Sequence, residues 1–364
     1  MKFLDLPGQW APLMPKILAE MEEDMKLGRF VGGPRIQRLE EALCGYTGFK
    51  YAIAMSSGTM ALESVYRTLA KSYKSVRIPD LTFAATAFAA IHAGLSIEIA
   101  PATSPEYACL IEPSFFDLTI PVDLYGTPTN YEADTLYPLV IDACQSLGAR
   151  VNGKRIGETR VTAAAVSFYP GKNLGSMGEG GALLTNSEAI AKRARTFINQ
   201  GQLKKNMYRC IGTNGRMHAL QAIPLFHGLQ TLDKWNARRR EIADYYDQEF
   251  AKIPTHKAEV LRIPEGREPT RHVYPLFAST CHDRNRKWTD EVSKRLIEAG
   301  IPVSCHYPQS LHDIGPIVSQ VENPIPKVPW GCPFDNQISL PIHPMLTEKE
   351  QKQVVSAVKK VLHA

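Results

Sequence analysis

Three short stretches of this sequence carry side chains whose types and spacing could do chemistry together. The first, AAAVSFYPGKNLGSMGEGGALLT (163–185), brings Lys172 to the end of an apolar run and follows it with Gly175, Gly178, Gly180 and Gly181. A loop lysine is ordinarily solvated. A phosphate-binding P-loop fails on spacing, because Val166 occupies the first glycine position of GxxxxGK[ST] and Asn173 the hydroxyl position. The second stretch, SSGTMAL (56–62), is a turn between a strand and a helix start. Thr59 can cap that helix, and the amides of Gly58 and Thr59 can hold a phosphate; a plain capping turn reads the same way. The third is PLVIDA (138–143), an apolar strand ending in Asp142, with Gln145 three residues on. A carboxylate there is costly to bury unless it meets a cation, either an arginine or a cationic ligand.

Taken together the three are more specific than any one. A protonated pyridine nitrogen is a cation that satisfies Asp142, a lysine at a strand end can form an imine with an aldehyde on the same ring, and the SSGT turn can cradle a phosphate. Those are the requirements of pyridoxal phosphate.

The elements that must position these groups alternate along the first two-thirds of the chain. YAIAMS (51–56), SVRIP (75–79), IEIAP, TIPVDLY, PLVIDA, AAAVSFYP and GGALLTN read as strands. TMALESVYRTLAK (59–71) and the alanine-rich stretch from Thr82 read as helices. Strands apolar on both faces, alternating with helices, predict an α/β fold with a mainly parallel sheet covered on each side. Ligands of such sheets gather at the carboxyl ends of the strands, where Ser57, Phe83, Asp142 and Lys172 lie. After about residue 240 the texture changes. HVYPLFAST and GIPVSCHYP read as strands beside helices at WTDEVSKRLIEAG, which stops at Gly300, and LTEKEQKQVVSAVKKVLHA; NPIPKVPWGCP (323–333) reads as a loop. The expectation is a large domain over 1–240 and a smaller α+β domain over 241–364.

Composition narrows the partners. The 364 residues are 44% hydrophobic and 22% charged, with a net charge of +5 too dispersed to argue for nucleic acid. The RRR run at 238–240, inside the helix-like KWNARRREIADYYDQEF, reads as a solvated face. Seven scattered cysteines with no CxxC pairing point to a reducing compartment. No signal peptide is legible in MKFLDLPGQWAPLMPKI, and the longest apolar stretch is broken by His92 and Glu98. A cytoplasmic protein with no membrane contact is expected.

In order, GRFVGGPRIQRLEEAL, SSGTMAL, PDLTFAATA, IDACQSLGA, SFYPGKNLGSMGEGGALLTN, IGTNGRMHALQA and ISLPIHPMLTEKE resemble the DegT/StrS family of nucleotide-sugar aminotransferases over nearly the whole chain. The resemblance implies the aspartate-aminotransferase fold, fold type I of the pyridoxal-phosphate enzymes. Position by position it implies that Lys172 is the Schiff-base lysine and Asp142 the acid at the pyridine nitrogen. Gln145 falls near the ring hydroxyl and Phe83 on the ring face; Gly58, Thr59 and Ser167 are phosphate ligands. It further implies that Asn214 reaches the phosphate of the neighbouring subunit, hence a homodimer. The implied reaction is a ping-pong transfer from glutamate to a keto group of a nucleotide-linked deoxysugar, with Lys172 as base and then acid.

Arg216, His306 and Tyr307 are candidate substrate contacts. His306, His312 and His343 have no metal-ligand spacing, so no metal is expected. His272 lies near a position where relatives carry a substrate-facing histidine, but Pro275 occupies the matching place. Two segments are shorter than in relatives, Ala100 to Leu118 and the eleven residues TPTNYEADTLY, and Thr213 and Gly215 replace larger residues, which predicts room for an unusual acceptor. Alternatives are an aminotransferase of another keto-polyol such as a keto-inositol, a dehydratase of the same scaffold, against which Lys172 argues because those relatives carry histidine there, and a cofactor-binding regulator without turnover, against which Lys172, Asp142 and Gln145 argue.

Overall fold

A computed structural model of the chain describes residues 1–100, 118–133, 135–254, 258–278, 287–321 and 337–363. After a five-residue helix at Leu6–Trp10, two longer helices, α1 (Met14–Lys26) and α2 (Pro34–Thr47), precede an alternating series: β1 (Tyr51–Met55), α3 (Gly58–Leu69), β2 (Ser75–Pro79), α4 (Ala85–His92) and β3 (Ser96–Ala100). Then come β4 (Leu139–Asp142), β5 (Val161–Ser167), β6 (Gly181–Thr185), α5 (Glu188–Ile198), α6 (Ala219–Leu229) and the long α7 (Leu232–Phe250).

The first four strands of the sheet run in the order β1, β6, β5, β4, with β6 antiparallel to both neighbours and β5 parallel to β4. β2 and β3 form a second parallel pair. The TIPVDLY segment joins the two. Thr119 bridges Arg77 of β2 and Val122 bridges Asp142 of β4, both parallel, and Pro121 and Asp123 exchange backbone bonds with Asp142. The result is one mainly parallel sheet with a single reversed strand.

Its burial on both faces follows from the period-2 alternation of strand side chains. Ala52 and Ala54 of β1 and Ala164 and Val166 of β5 pack under α1, α2 and α6. Their neighbours Ile53, Met55, Ala163 and Ala165 pack under α3, α4 and α5. Alanines in the middle strands let the helices settle close, and the sheet has no solvated face to read as polar.

A separate core is built from the C-terminal half of α7, β7 (Ala258–Val260), β8 (Tyr274–Ala278), α8 (Lys287–Glu298), β9 (Gln337–Leu340) and α9 (Glu348–His363). β7, β8 and β9 form an antiparallel sheet. GIPVSCHYP does not extend it as a strand. Only Ser304 pairs, through a bridge to Ser339, and the chain then turns away so that His306 and Tyr307 face the large sheet. The RRR run is not a solvated face either. Arg239 is 1% exposed, because it sits three residues from both Asn236 and Ile242 on the inward stripe of α7. Burial alone lowers its pKa to about 10, and its Nε and Nη1 have no hydrogen-bond partner among the described residues.

The shortened crossover at 127–137 contains no helix among its described residues. It is pinned instead by Asp123, which accepts from the Thr129 amide at 2.8 Å, the Tyr131 hydroxyl at 2.5 Å and the Ser146 hydroxyl at 2.5 Å. Burial raises the Asp123 pKa to about 6 against those bonds. Residues 101–117 and the 323–333 loop lie outside the described residues.

Candidate active site

At the carboxyl ends of β1, β4 and β5 a cavity of about 540 Å³ opens between the large sheet and the second core. Gly58, Thr59 and Ser167 line one part of it, and Phe83, Asp142, Gln145 and Lys172 line the rest. From the second core, His306 and Tyr307 complete the wall.

The anion cradle is the start of α3. Ser57, not Thr59, is its cap: the Ser57 Oγ accepts from the Met60 amide at 3.1 Å. That leaves the amides of Gly58 and Thr59 at the positive end of a twelve-residue helix. A side chain at Gly58 would fill the cradle, since a Cβ there would lie 2.8 Å from both Cys144 Sγ and Ser167 Cβ.

Lys172 is delivered by a loop that is itself fixed. Its amide donates to Tyr169 O at 2.8 Å, and the next residue, buried Asn173, donates to Asn236 Oδ1 at 2.6 Å and Thr270 O at 3.1 Å. Burial lowers the Lys172 pKa, opposed by the charges of Cys144 and Asp142. The glycines that follow do not clear space for a substrate. A Cβ at Gly175 would lie 2.2 Å from Pro170 O, and one at Gly181 would lie 2.3 Å from Ser57 C, so they serve close approach within the protein.

Asp142, 5% exposed, accepts from the Thr86 hydroxyl at 2.7 Å on Oδ2 and from the Cys144 amide at 3.2 Å on Oδ1. Gln145 is oriented from both ends. Its Oε1 accepts from the Tyr125 amide at 2.7 Å, and its Nε2 donates to the Tyr307 hydroxyl at 2.9 Å. The Tyr125 hydroxyl donates in turn to His306 O at 2.7 Å. Phe83 is 57% exposed at the mouth, its ring 5.4 Å from that of Tyr307. His306 shares a 2.8 Å hydrogen bond with Ser339, and burial, then the Lys172 charge, lowers its pKa to about 4. Burial, then the charges of Asp142 and Cys144, raises the Tyr307 pKa.

Asn214 and Arg216 are not in this cavity. They line a second one of about 340 Å³ with Ser56 and Gln221, and Glu179 lines both. There Arg216 donates to Asn199 at 2.5 Å. Gly215 opens no room for a substrate, since a Cβ would lie 2.8 Å from Met60. The three histidines weighed for a metal have separate partners: Ser339 for His306, Asp80 at 2.5 Å for His312, and Lys2 O at 3.3 Å for His343.

Two lining groups, Phe3 and Leu4, went unread in the sequence, and a third, His272, was raised there but set in doubt by Pro275. Phe3 and Leu4 of the N-terminal FLDL close one side, the Phe3 ring stacked 6.3 Å from His306. His272 lines the cavity, and its Nδ1 has no hydrogen-bond partner among the described residues. Burial, then the Lys172 charge, holds its pKa well below the usual range. A paired apolar start to a polar N-terminus was the signal for Phe3; for His272 the signal was its place near the substrate-facing histidine of relatives.

A profile of the DegT/DnrJ/EryC1/StrS aminotransferase family matches residues 13–359. The erythromycin biosynthesis sensory transduction protein EryC1 of Saccharopolyspora erythraea is 31% identical over 371 residues, with 98% of each chain covered. The dTDP-3-amino-3,4,6-trideoxy-alpha-D-glucose transaminase of Streptomyces venezuelae is 32% identical over 375 residues, covering 98% of this chain and 95% of its own. A solved structure of S. venezuelae DesV, in complex with a ketimine intermediate, superposes with a TM-score of 0.89 at 29% identity, covering 100% of this chain and 98% of that one.

Proposed function

This chain belongs to the DegT/DnrJ/EryC1/StrS aminotransferase family, and on that premise we propose that it moves an amino group from glutamate to a keto group of a nucleotide-linked deoxysugar, using pyridoxal 5'-phosphate in the cavity at Lys172. The cavity suits that cofactor. An amine, a buried carboxylate and a helix N-terminus that a single Cβ would block all face one space. The observation that carries the reading is that Lys172 and Asp142 line the same cavity, while among the described residues the hydrogen bonds to Asp142 come from uncharged donors such as the Thr86 hydroxyl and the Cys144 amide.

When bound, the cofactor supplies an aldehyde that links amines and a ring that takes up the electrons of a broken C–H bond. The chain's residues do the rest. The Gly58 and Thr59 amides and the Ser167 hydroxyl take the phosphate. Asp142 offers its carboxylate to the ring nitrogen, and Phe83 covers one ring face. Gln145, with Oε1 already satisfied, presents Nε2 hydrogens to Tyr307 and to the ring hydroxyl. Lys172 is the anchoring amine. Once a donor displaces it, the same amine carries the proton from the donor α-carbon, and later returns one to the acceptor carbon. Burial supports both roles by making its proton easier to lose.

His306 and Tyr307 would meet the acceptor from the second core. Asn214 and Arg216, held in the adjoining cavity, would serve the site of a second copy, which makes the working form a homodimer. The free thiols Cys44, Cys144 and Cys210 support a cytoplasmic setting, and no helix among the described residues is long and apolar enough to cross a membrane.

Incubation with ¹⁵N-glutamate, pyridoxal phosphate and a panel of keto-sugar nucleotides and keto-inositols, with product mass read directly, tests the acceptor. A one-amine product carrying the label is expected from at least one nucleotide-linked sugar. Label appearing only in a keto-inositol would move the reading to the second substrate class.

A further inference from the structure

Among the buried polar groups around the cavity, one hydroxyl chain has no place in the roles given above. Thr82 and Thr86 are 1% and 0% exposed, and sit one turn apart at the start of α4. Their hydroxyl oxygens are 3.0 Å apart, and Thr86 Oγ1 lies 2.7 Å from Asp142 Oδ2. Thr86 has one hydroxyl proton and two acceptors in reach, Asp142 Oδ2 and Phe83 O at 3.1 Å. Phe83 O already accepts the Thr86 amide at 3.1 Å, and the shorter contact is to the carboxylate. The proton of Thr86 therefore points at Asp142, which leaves its oxygen free to accept from Thr82. The bonds run in one direction, Thr82 to Thr86 to Asp142, and each donor polarises the next.

We propose that Thr86 is a positioning residue of the aminotransferase site: its hydroxyl, backed by that of Thr82, aims the Asp142 carboxylate at the ring nitrogen of the cofactor. The proposal rests on the pyridoxal-phosphate reading above. The geometry favours it over a purely structural bond. Among the described residues the Asp142 carboxylate forms no ion pair, and its other contacts come from one residue, the Cys144 amide at 3.2 Å and the Cys144 thiol beside it. A carboxylate with a single weaker tether can rotate about its Cα–Cβ and Cβ–Cγ bonds. A strong second tether from a different element removes that freedom before the ligand arrives. Thr86 itself is locked, since a threonine early in a helix with its hydroxyl near the i−3 carbonyl has few alternatives.

The test compares Thr86→Val, which keeps the shape and removes the hydroxyl, with Thr86→Ser, which keeps the hydroxyl. Two quantities are read on the full chain: the dissociation constant of pyridoxal phosphate, and the ¹⁵N chemical shift of the ring nitrogen in bound, labelled cofactor. For Thr86→Val the dissociation constant rises about tenfold or more, the scale of a lost hydrogen bond to a charged group. Its ring-nitrogen signal moves from the protonated toward the unprotonated position. Thr86→Ser restores both, and Thr82→Val shows a weaker form of the same change. Wild-type values for Thr86→Val in both measurements overturn the proposal. If Thr86→Val does not fold, Thr86→Ala against Thr86→Ser decides the same question by the same two readings. Asp142→Asn separates the levels: a wild-type ring-nitrogen signal in that variant removes Asp142 from the ring nitrogen, and the cofactor reading of Asp142 fails with it. A shift in Asp142→Asn alone leaves that reading standing and sinks only the role of Thr86.

Discussion

A lysine that must act as base and then acid needs a proton it can lose, and the burial of Lys172 supplies that. Lys172→Ala is therefore expected to abolish transamination while the fold survives, checked by circular dichroism beside an activity assay. His306 gives a second residue-scale prediction. An unfolded imidazole titrates near 6.5, whereas folded His306 titrates at about 4. Between those values the unfolded chain binds a proton that the folded chain refuses. The contribution of His306 is intact above pH 6.5 and falls as pH drops toward 4, by up to about 3 kcal/mol. Urea midpoints at pH 7 and pH 4.5 should differ more in wild type than in His306→Asn; equal differences would count against a buried neutral imidazole. At this scale the sequence was readable where a side chain ends a strand, as with Asp142, or breaks an apolar run, as with Lys172. It was mute on Thr86 and Tyr125, because their partners lie 56 and 20 residues away and come together only through the sheet.

Elements carry these side chains, and the loop after β5 is held at Lys172 by the Tyr169 carbonyl and at Asn173 by Asn236 and Thr270. Asn173→Ala would leave Asn236 Oδ1 and Thr270 O without their donor, at a cost of about 1–3 kcal/mol. The expected result is a lower thermal midpoint together with weaker retention of pyridoxal phosphate, although Lys172 itself is unchanged. A variant that loses stability and keeps wild-type cofactor affinity would show that the loop is not what aims the lysine. The strands and helices around this loop were legible because their apolar period was unambiguous. Thr59 was misread as a cap because SSGT offers three side-chain oxygens within four residues and only geometry chooses Ser57. GIPVSCHYP alternates like a strand, but only Ser304 finds a partner edge. Arg239 was misread because charge outweighed its position on the helical stripe that also carries Asn236 and Ile242.

At the scale of the molecule, two cavities share Glu179, and the groups expected to serve one cofactor are divided between them. If Asn214 works across a homodimer, Lys172→Ala and Asn214→Ala subunits, each inactive alone, will complement when mixed. A random mixture should recover about one quarter of wild-type activity, since half the dimers are mixed and each has one intact site. No recovery, with mixed dimers verified by mass, would place Asn214 in its own subunit's site. The architecture as a whole was legible from strand–helix alternation, and the placement of the second core against the sheet was not, since it depends on contacts such as Gln145 to Tyr307 across 162 residues. The central claim, that Lys172 holds pyridoxal phosphate and exchanges it with an amino donor, is tested most directly by absorbance. Purified wild type loaded with the cofactor should show a visible band that glutamate bleaches and a keto acid restores, and Lys172→Ala should show neither the band nor the bleaching. A wild-type spectrum indifferent to glutamate, or a Lys172→Ala spectrum that responds as wild type does, would contradict it.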